Sequence, residues 1–391
     1  MVKRLRSLDA IYLDYNASAP FPTELNEEFS SVLLSGYGNP SSLHFFGRKS
    51  RRLINEATEF VAKFVNADPA FCYWTSGASE ANTWVLHSAV LRAKAEGRSP
   101  QLLVSAIEHE STLLAAKHLA SQFKDVRVDL LPVLRNGQID LEALAQMLTQ
   151  ARYDLVSVLH ANNETGVVQP VDQLTEICAR ANIPVHIDCV QTLAKIPFTI
   201  ADRGIQFLTF SGHKIGAPKG VGLLAVRGEG RLLYPLIHGK QQKGLRGGTE
   251  NVTGVTMFAR TLSAYQNGKI RSFEHCQTLH DRFEKQLTET IPGTIIHGLG
   301  AARLPNTTYV GFEGLDGDSL LMGLDLEGVC ASSGSACSSG SLDPSHVLSA
   351  MGCTPELARS SVRFSSGPNT TWSEFETLLN VLSELVSRLR T

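Results

Sequence analysis

Leu155-Val-Ser-Val-Leu-His-Ala-Asn-Asn-Glu-Thr-Gly166 opens a stretch that continues through a helical pattern at Val171 to Asn182 and ends on Ile183-Pro-Val-His-Ile-Asp188. Two short apolar runs flank one amphipathic run, and each apolar run stops on a polar residue. This is the pattern of a strand–helix–strand unit whose parallel strands are covered on both faces. The same spacing repeats outward. Strand-like runs stand at Phe71 to Thr75, Leu102 to Ile107 and Val126 to Leu131, with helical runs at Ala81 to Ala95, Ser111 to Phe123 and Leu141 to Ala151. Ile205 to Phe210 and Val221 to Val226 follow downstream. The alternation predicts an α/β fold with a large, mainly parallel, seven-stranded-type sheet flanked by helices.

Ligands of such sheets bind beyond the carboxyl ends of the strands. His109, Asn163, Asp188 and Lys214 all fall at or just past such ends. Each also has an ordinary reading: His109 as a helix-start residue, Asn163 as a turn former, Asp188 as a cap, Lys214 as a solvated loop lysine. Lys214 lies in Phe210-Ser-Gly-His-Lys214, a strand-to-strand turn. A lysine held there can attack a carbonyl if its surroundings favour the neutral amine. Thr75-Ser-Gly-Ala-Ser-Glu80 links a strand to a helix through small residues. That geometry suits an anion at the helix N-terminus; equally, Ser76 or Ser79 serves as an ordinary cap. The turn-rich segment Gly36-Tyr-Gly-Asn-Pro-Ser-Ser-Leu-His44 either lines a site or forms an ordered surface loop.

A length of 391 residues suits two domains. Hydrophobic content of 43%, 19% charged residues and a net charge of −2 describe a soluble enzyme with no bulk attraction to nucleic acid or anionic membrane. No apolar run is long enough to span a bilayer, and Met1-Val-Lys-Arg-Leu-Arg-Ser-Leu-Asp9 carries none behind its basic residues, so a cytoplasmic protein is expected. Seven cysteines without a C-x-x-C pair read as free thiols. No metal motif and no Walker loop occurs, so no metal is expected. Beyond Val226 a basic glycine-rich loop, Gly239 to Asn251, precedes one long helical stretch from Val252 to Glu289. A smaller α+β unit then follows. It contains Ala331-Ser-Ser-Gly-Ser-Ala-Cys-Ser-Ser-Gly-Ser341, a small-residue loop in which Cys337 reads as a nucleophile instead of a core thiol.

A strand-end lysine, an aspartate on a neighbouring strand end, a helix-start anion site and a ring-stacking side chain together match the needs of pyridoxal 5'-phosphate. Its ring nitrogen works best protonated, which a carboxylate enforces. The chain resembles the pyridoxal phosphate enzymes of fold type I, in the class V aminotransferase group, and within it the cysteine desulfurases of the NifS/IscS kind. The resemblance rests on Tyr12-Leu-Asp-Tyr-Asn-Ala-Ser-Ala-Pro20, Thr75-Ser-Gly-Ala-Ser-Glu80, His160-Ala-Asn-Asn-Glu-Thr-Gly-Val-Val168 and His186-Ile-Asp188. It continues through Ser211-Gly-His-Lys214, Arg246-Gly-Gly-Thr249, Ser332-Ser-Gly-Ser-Ala-Cys337 and Ser361-Val-Arg-Phe364.

The resemblance implies a large cofactor-binding domain at 16–262 and a small domain made of 1–15 and 263–391, the latter carrying the cysteine loop at about 331–341. It implies that Lys214 holds the cofactor covalently, Asp188 pairs with the ring nitrogen and His109 stacks on the ring. Gln191 and Asn163 would border the ring hydroxyl and the substrate. Phosphate would be held by Ala78, Ser79, Ser211 and His213, with Thr249 reaching it from a second subunit of a homodimer. Arg363 would pair with the substrate carboxylate. The implied reaction converts L-cysteine to L-alanine and leaves the sulfur on Cys337 as a persulfide. An acceptor or scaffold protein of iron–sulfur cluster assembly or tRNA thiolation would then receive it. Ser79 stands where relatives often have threonine, and Cys189 where many have alanine; neither removes a function. A selenocysteine lyase or another lyase of the same family is the alternative, and a non-catalytic sulfur-relay protein is a more distant one.

Overall fold

Strands Leu155–Leu159, Gln206–Ser211 and Gly222–Arg227 are buried at every position. Their near-continuous apolar sequence is what a strand needs when both faces are covered, because alternation would place polar groups in a dry layer. The computed structural model describes residues 10–228, 232–334 and 344–390. The described chain enters through β1 (Ile11–Tyr12). The main sheet then follows as β2 (Cys72–Thr75), β3 (Gln101–Ser105), β4 (Arg127–Leu131), β5 (Leu155–Leu159), β6 (Val185–Asp188), β7 (Gln206–Ser211) and β8 (Gly222–Arg227). Its order is β2-β8-β7-β6-β5-β3-β4. Pairing is parallel from β7 to β4, whereas β8 runs antiparallel to both of its neighbours. The sheet is therefore mainly parallel and has seven strands, as the alternation predicts.

Two apolar layers cover it. On one face Trp74, Leu103, Val156, Ile187 and Leu208 join Phe258 and Leu262 of the helix Val252–Gln266. On the other, Tyr73, Leu102, Val104 and Phe207 pack with Trp84 and Val85 of the helix Ala78–Ala95. Each fully buried Leu, Val or Phe contributes about 1.5–3 kcal/mol of transfer free energy. Both layers must form for the sheet to stay dry.

A second sheet is made of β9 (Thr294–Ile296), β10 (Thr307–Phe312) and β12 (Ser361–Ser365), antiparallel with β10 central. The remaining strand, β11 (Val329–Cys330), pairs in parallel with β1. Phe283, Val310, Phe312, Phe364 and Phe375 form their own core here, and Leu13 from the start of the chain belongs to it. Residues 13–18 therefore run from this second core toward the main sheet, with Tyr15 N–H donating to the Ser365 carbonyl.

The single long helix expected from Val252 to Glu289 is instead two, Val252–Gln266 and Glu274–Thr290. Asn267 caps the first, and Gly268 takes a left-handed φ of 75°. An Asn-Gly pair ends a helix this way at little steric cost. The helical periodicity ran on through the break because Ile270, Phe273 and Cys276 are buried at matching intervals.

Candidate active site

A cavity of about 520 Å³ opens beyond the carboxyl ends of β3, β5, β6 and β7. His109, Asn163, Asp188 and Lys214, each with an ordinary explanation on its own, all line it. None of the residues from Gly36 to His44 lines this cavity.

Asp188 is the last residue of β6, opposite Leu159 and Thr209 on the flanking strands. Its Oδ2 accepts from Asn82 Nδ2 at 2.8 Å and its Oδ1 from the Val190 amide at 3.0 Å. Two donors occupy about half of the acceptor sites of a carboxylate, so the group is fixed yet able to take another donor from the cavity. Behind it His186 is held between the Ser157 and Thr209 hydroxyls at 2.8 and 2.9 Å. Burial pushes that imidazole down to about 4, so it stands neutral under the sheet edge. Fully buried Glu108 is pushed well up, first by burial and then by Asp188, which favours its neutral form.

His109 is the N-cap of the helix Glu110–Gln122; its Nδ1 accepts from the Ser111 amide at 3.1 Å. The acceptor role at Nδ1 places the ring proton on Nε2. Burial lowers its affinity for a second proton, against the opposing pull of Asp188. The helix-start reading and the site reading of His109 thus both hold.

Lys214 ends a single 3-10 turn, Gly212–Lys214, between β7 and β8. Its Nζ donates to the carbonyls of Asn16 at 2.7 Å and Ala17 at 2.9 Å. Ser211 and His213 line the same end of the cavity as Ala78 and Ser79. There the helix Ala78–Ala95 begins at Gly77 with no side chain capping it. The cap reading of Ser76 and Ser79 therefore fails, and the first-turn amides face an anion-sized space with the positive end of the helix dipole. Close approach makes the cradle: a Cβ at Gly222 would come within 2.7 Å of Gly77 Cα.

The far wall comes from the second sheet. Arg363, on β12 and only 1% exposed, donates from Nη2 to Asp14 Oδ1 at 2.6 Å and from Nη1 to the Asn163 carbonyl at 2.8 Å. Its Nε has no partner among the described residues. Gln191 lines the floor and donates from Nε2 to the Asn16 carbonyl at 3.0 Å. Thr249, by contrast, is exposed and does not line this cavity. Cys337 lies outside the described residues. Cys189 is fully buried with its thiol donating to the Ile187 carbonyl at 3.5 Å, and burial pushes that thiol well up, so it is inert beside Asp188.

Sequence reasoning missed Asn82, which fixes Asp188, and Asn16, which receives Lys214. Tyr12 to Pro20 carried a signal as a motif; nothing in it assigned the asparagine a task. Asn82 sits on an ordinary helix, and only the packing of that helix on β6 and β7 reveals it.

The donors fit pyridoxal phosphate: an uncapped helix start with nearby hydroxyl and imidazole groups, a fixed carboxylate, a flat neutral ring and a lysine share one cavity. The comparisons agree. Residues 11–378 match the family model described as aminotransferase class-V. "Cysteine desulfurase IscS" of Dictyoglomus turgidum is 37% identical over 97% of this chain and 95% of its own. "Cysteine desulfurase 1" of Trichormus variabilis is 38% identical over 98% and 94%. Among solved structures, a "NifS-like protein" superposes with a TM-score of 0.87 at 32% identity, covering 97% of this chain and 100% of its own. The NifS-like protein of Rickettsia africae gives 0.83 at 29% identity, covering 97% and 99%. The chain belongs to the class-V aminotransferase family, in its pyridoxal phosphate-dependent cysteine desulfurase group.

Proposed function

We propose that this chain converts L-cysteine to L-alanine and passes the sulfur to its own Cys337 as a persulfide, for delivery to an acceptor protein. The observation that carries the reading is the meeting of Lys214, Asp188, His109 and Arg363 around one cavity. In it, Lys214 would hold pyridoxal phosphate covalently, Asp188 would pair with the ring nitrogen and His109 would cover the ring face. Asn163 and Gln191 would border the ring hydroxyl and the substrate. The amides of Ala78 and Ser79, with Ser211 and His213, would hold the phosphate. Bound there, the cofactor supplies an electron sink next to the substrate Cα.

The chain's own groups do the rest. Arg363 would orient the substrate through its carboxylate, since guanidinium offers a planar pair of donors. Lys214 Nζ, in the same cavity, would move the proton at the substrate Cα. Cys337 Sγ would attack the substrate sulfur: an S–S bond forms, the Cβ–S bond breaks, and its electron pair stays on the carbon side, to be protonated as the alanine methyl group. Thiol plus cysteine gives persulfide plus alanine, so no outside oxidant or reductant is needed.

A homodimer is part of this reading. Leu34 and Leu43 are 77% and 89% exposed beside exposed Tyr37, Phe45 and Phe46. An apolar face of that kind marks an interface. The loop carrying Thr249 is pinned by Glu250, which accepts from Arg51 and Gln242. That supports Thr249 reaching the phosphate of a second subunit. The division into 16–262 against 1–15 with 263–391 is carried into the same reading, the two units supplying opposite walls.

Mass spectrometry of the purified protein after exposure to cysteine tests the reading. Added sulfur on Cys337 is expected, and Cys337→Ser is expected to lose sulfide release while retaining the bound cofactor's absorption. Alanine formation with no sulfur on Cys337 would overturn it in favour of a lyase.

A further inference from the structure

Lys195 lies behind the cavity floor and takes no part in the reaction proposed above. It is 4% exposed, and Nζ donates to Asn16 Oδ1 and to Gln191 Oε1, both at 2.8 Å. The Phe273 ring covers it, with Nζ 5.7 Å from the centroid. No carboxylate forms an ion pair with it among the described residues; the ionisable groups facing it are Lys214, Arg363 and Cys276. Burial, with Lys214 and Arg363 adding to it, lowers its proton affinity well below that of an ordinary lysine. A lysine among amides in a dry site is costly to keep, so what it holds in place matters.

Charged or neutral, a lysine nitrogen has at least two hydrogens to give. A charged nitrogen can only donate and a neutral one also carries a lone pair; both atoms it touches are amide oxygens, and the far end of each amide meets a main-chain carbonyl that can only accept, so neither amide is free to flip. Gln191 must turn Nε2 the other way, where one hydrogen goes to the Asn16 carbonyl and the second is left for the cavity that Gln191 lines. Asn16 must turn Nδ2 toward Thr307 Oγ1 at 2.9 Å and the Asn163 carbonyl at 3.3 Å. The Asn163 carbonyl also receives Arg363, and the Asn16 carbonyl also receives Lys214. Lys195, together with the Asn16 and Asn163 carbonyls, thus fixes the donor sense of the floor from Lys214 to Arg363.

We propose that Lys195 is a positioning residue of the cofactor site: by donating to Gln191 Oε1 and Asn16 Oδ1, opposite the Asn16 carbonyl that takes Gln191 Nε2, it holds the Gln191 amide in place so that an N–H, not a carbonyl, meets the ring oxygen of pyridoxal phosphate. This rests on the reading of the cavity given above. An ionised ring oxygen is an acceptor; a carbonyl turned toward it would repel.

The experiment titrates apoprotein with pyridoxal phosphate by fluorescence and follows the absorbance of the loaded protein against pH, with thermal unfolding of each apoprotein measured in parallel. Wild type is expected to bind; if it does not, the reading of the cavity falls and this inference with it. Lys195→Met is expected to weaken binding roughly tenfold and to move the absorbance midpoint by about one pH unit. Gln191→Leu added to it should cost little more, because the two act as one unit. Gln191→Glu keeps the contact with Lys195 while replacing the donor by an acceptor, and should weaken binding at least as much. It decides alone if Lys195→Met does not fold. A Lys195→Met protein of lowered melting temperature with unchanged binding and midpoint would show a packing role only and overturn the proposal, as would a Gln191→Glu protein that binds like wild type.

Discussion

On one side of the cavity Asp188, His109 and Lys214 stand at or just beyond the ends of the parallel strands β6, β3 and β7, each placed by a short stretch of its own sequence. On the other side Arg363 meets Asp14, a partner 349 positions away. The first wall is rigid because β5 to β8 are buried along their whole length and registered against one another. The second depends on a small antiparallel sheet accepting the start of the chain into its core and aiming one buried arginine back across the gap. Preorganisation is thus local on one wall and long-range on the other, and perturbations of the two should differ in kind.

Lys214→Ala strikes the first wall at its reactive group and should lower alanine formation by on the order of 10³-fold or more while leaving the fold intact; a steady-state alanine assay with a circular-dichroism control measures it. Acid should attack both walls together. His160, His186 and His297 are held at about 4 and His280 at about 3, each by burial. Against an unfolded value of about 6.5, each favours the folded state fully above pH 6.5 and loses that contribution as pH falls toward its folded value. The slope is up to about 1.4 kcal/mol per pH unit for each group. Urea midpoints should therefore drop from pH 6.5 to 4.5, the four rings outweighing the opposite slope of Glu108, whose raised affinity for a proton favours the folded state as pH falls; a flat acid limb would contradict the burial of these rings.

Arg363→Lys tests the second wall alone. The charge opposite Asp14 is kept and the planar pair of donors is lost, so kcat/KM for cysteine should fall on the order of 10²-fold with the cofactor still bound. Loss of cofactor in this variant would mean that the two walls are not separable. The smallest change concerns the loop after β6, where Ala194 holds a left-handed φ of 61°. Ala194→Gly relieves that strain and should raise stability by up to about 1 kcal/mol, read as a modest rise in melting temperature. No gain would mean that the packing of the alanine methyl group offsets the strain.

The first wall was largely legible. Strand ends follow from the hydrophobic period, and the rule that ligands gather beyond them singles out His109, Asn163, Asp188 and Lys214. Arg363 was legible only through the family motif, because nothing in Ser361-Val-Arg-Phe364 by itself distinguishes a ligand-binding arginine from a strand residue. Asn16, Asn82 and Lys195 were not legible at all as parts of a site. Their significance lies in which atom each amide or amine turns toward, and that is fixed by partners far along the chain. The break at Asn267-Gly268 was visible as a dipeptide yet overridden by periodicity, since the buried residues beyond it kept helical spacing.

What the sequence determined by itself was the order of buried strands and amphipathic helices, and with it the main sheet, its carboxyl edge and the lysine on that edge. Those follow from local patterning, where the burial of each short segment is decided by its own residues. The tertiary structure alone decided which second wall closes the cavity, that Asp14 and Asn163 hold Arg363, and that a buried lysine donates to the amide oxygens of Gln191 and Asn16. Hydrogen-bond direction in a dry site depends on every donor and acceptor that reaches it, and residues from both ends of the chain converge there.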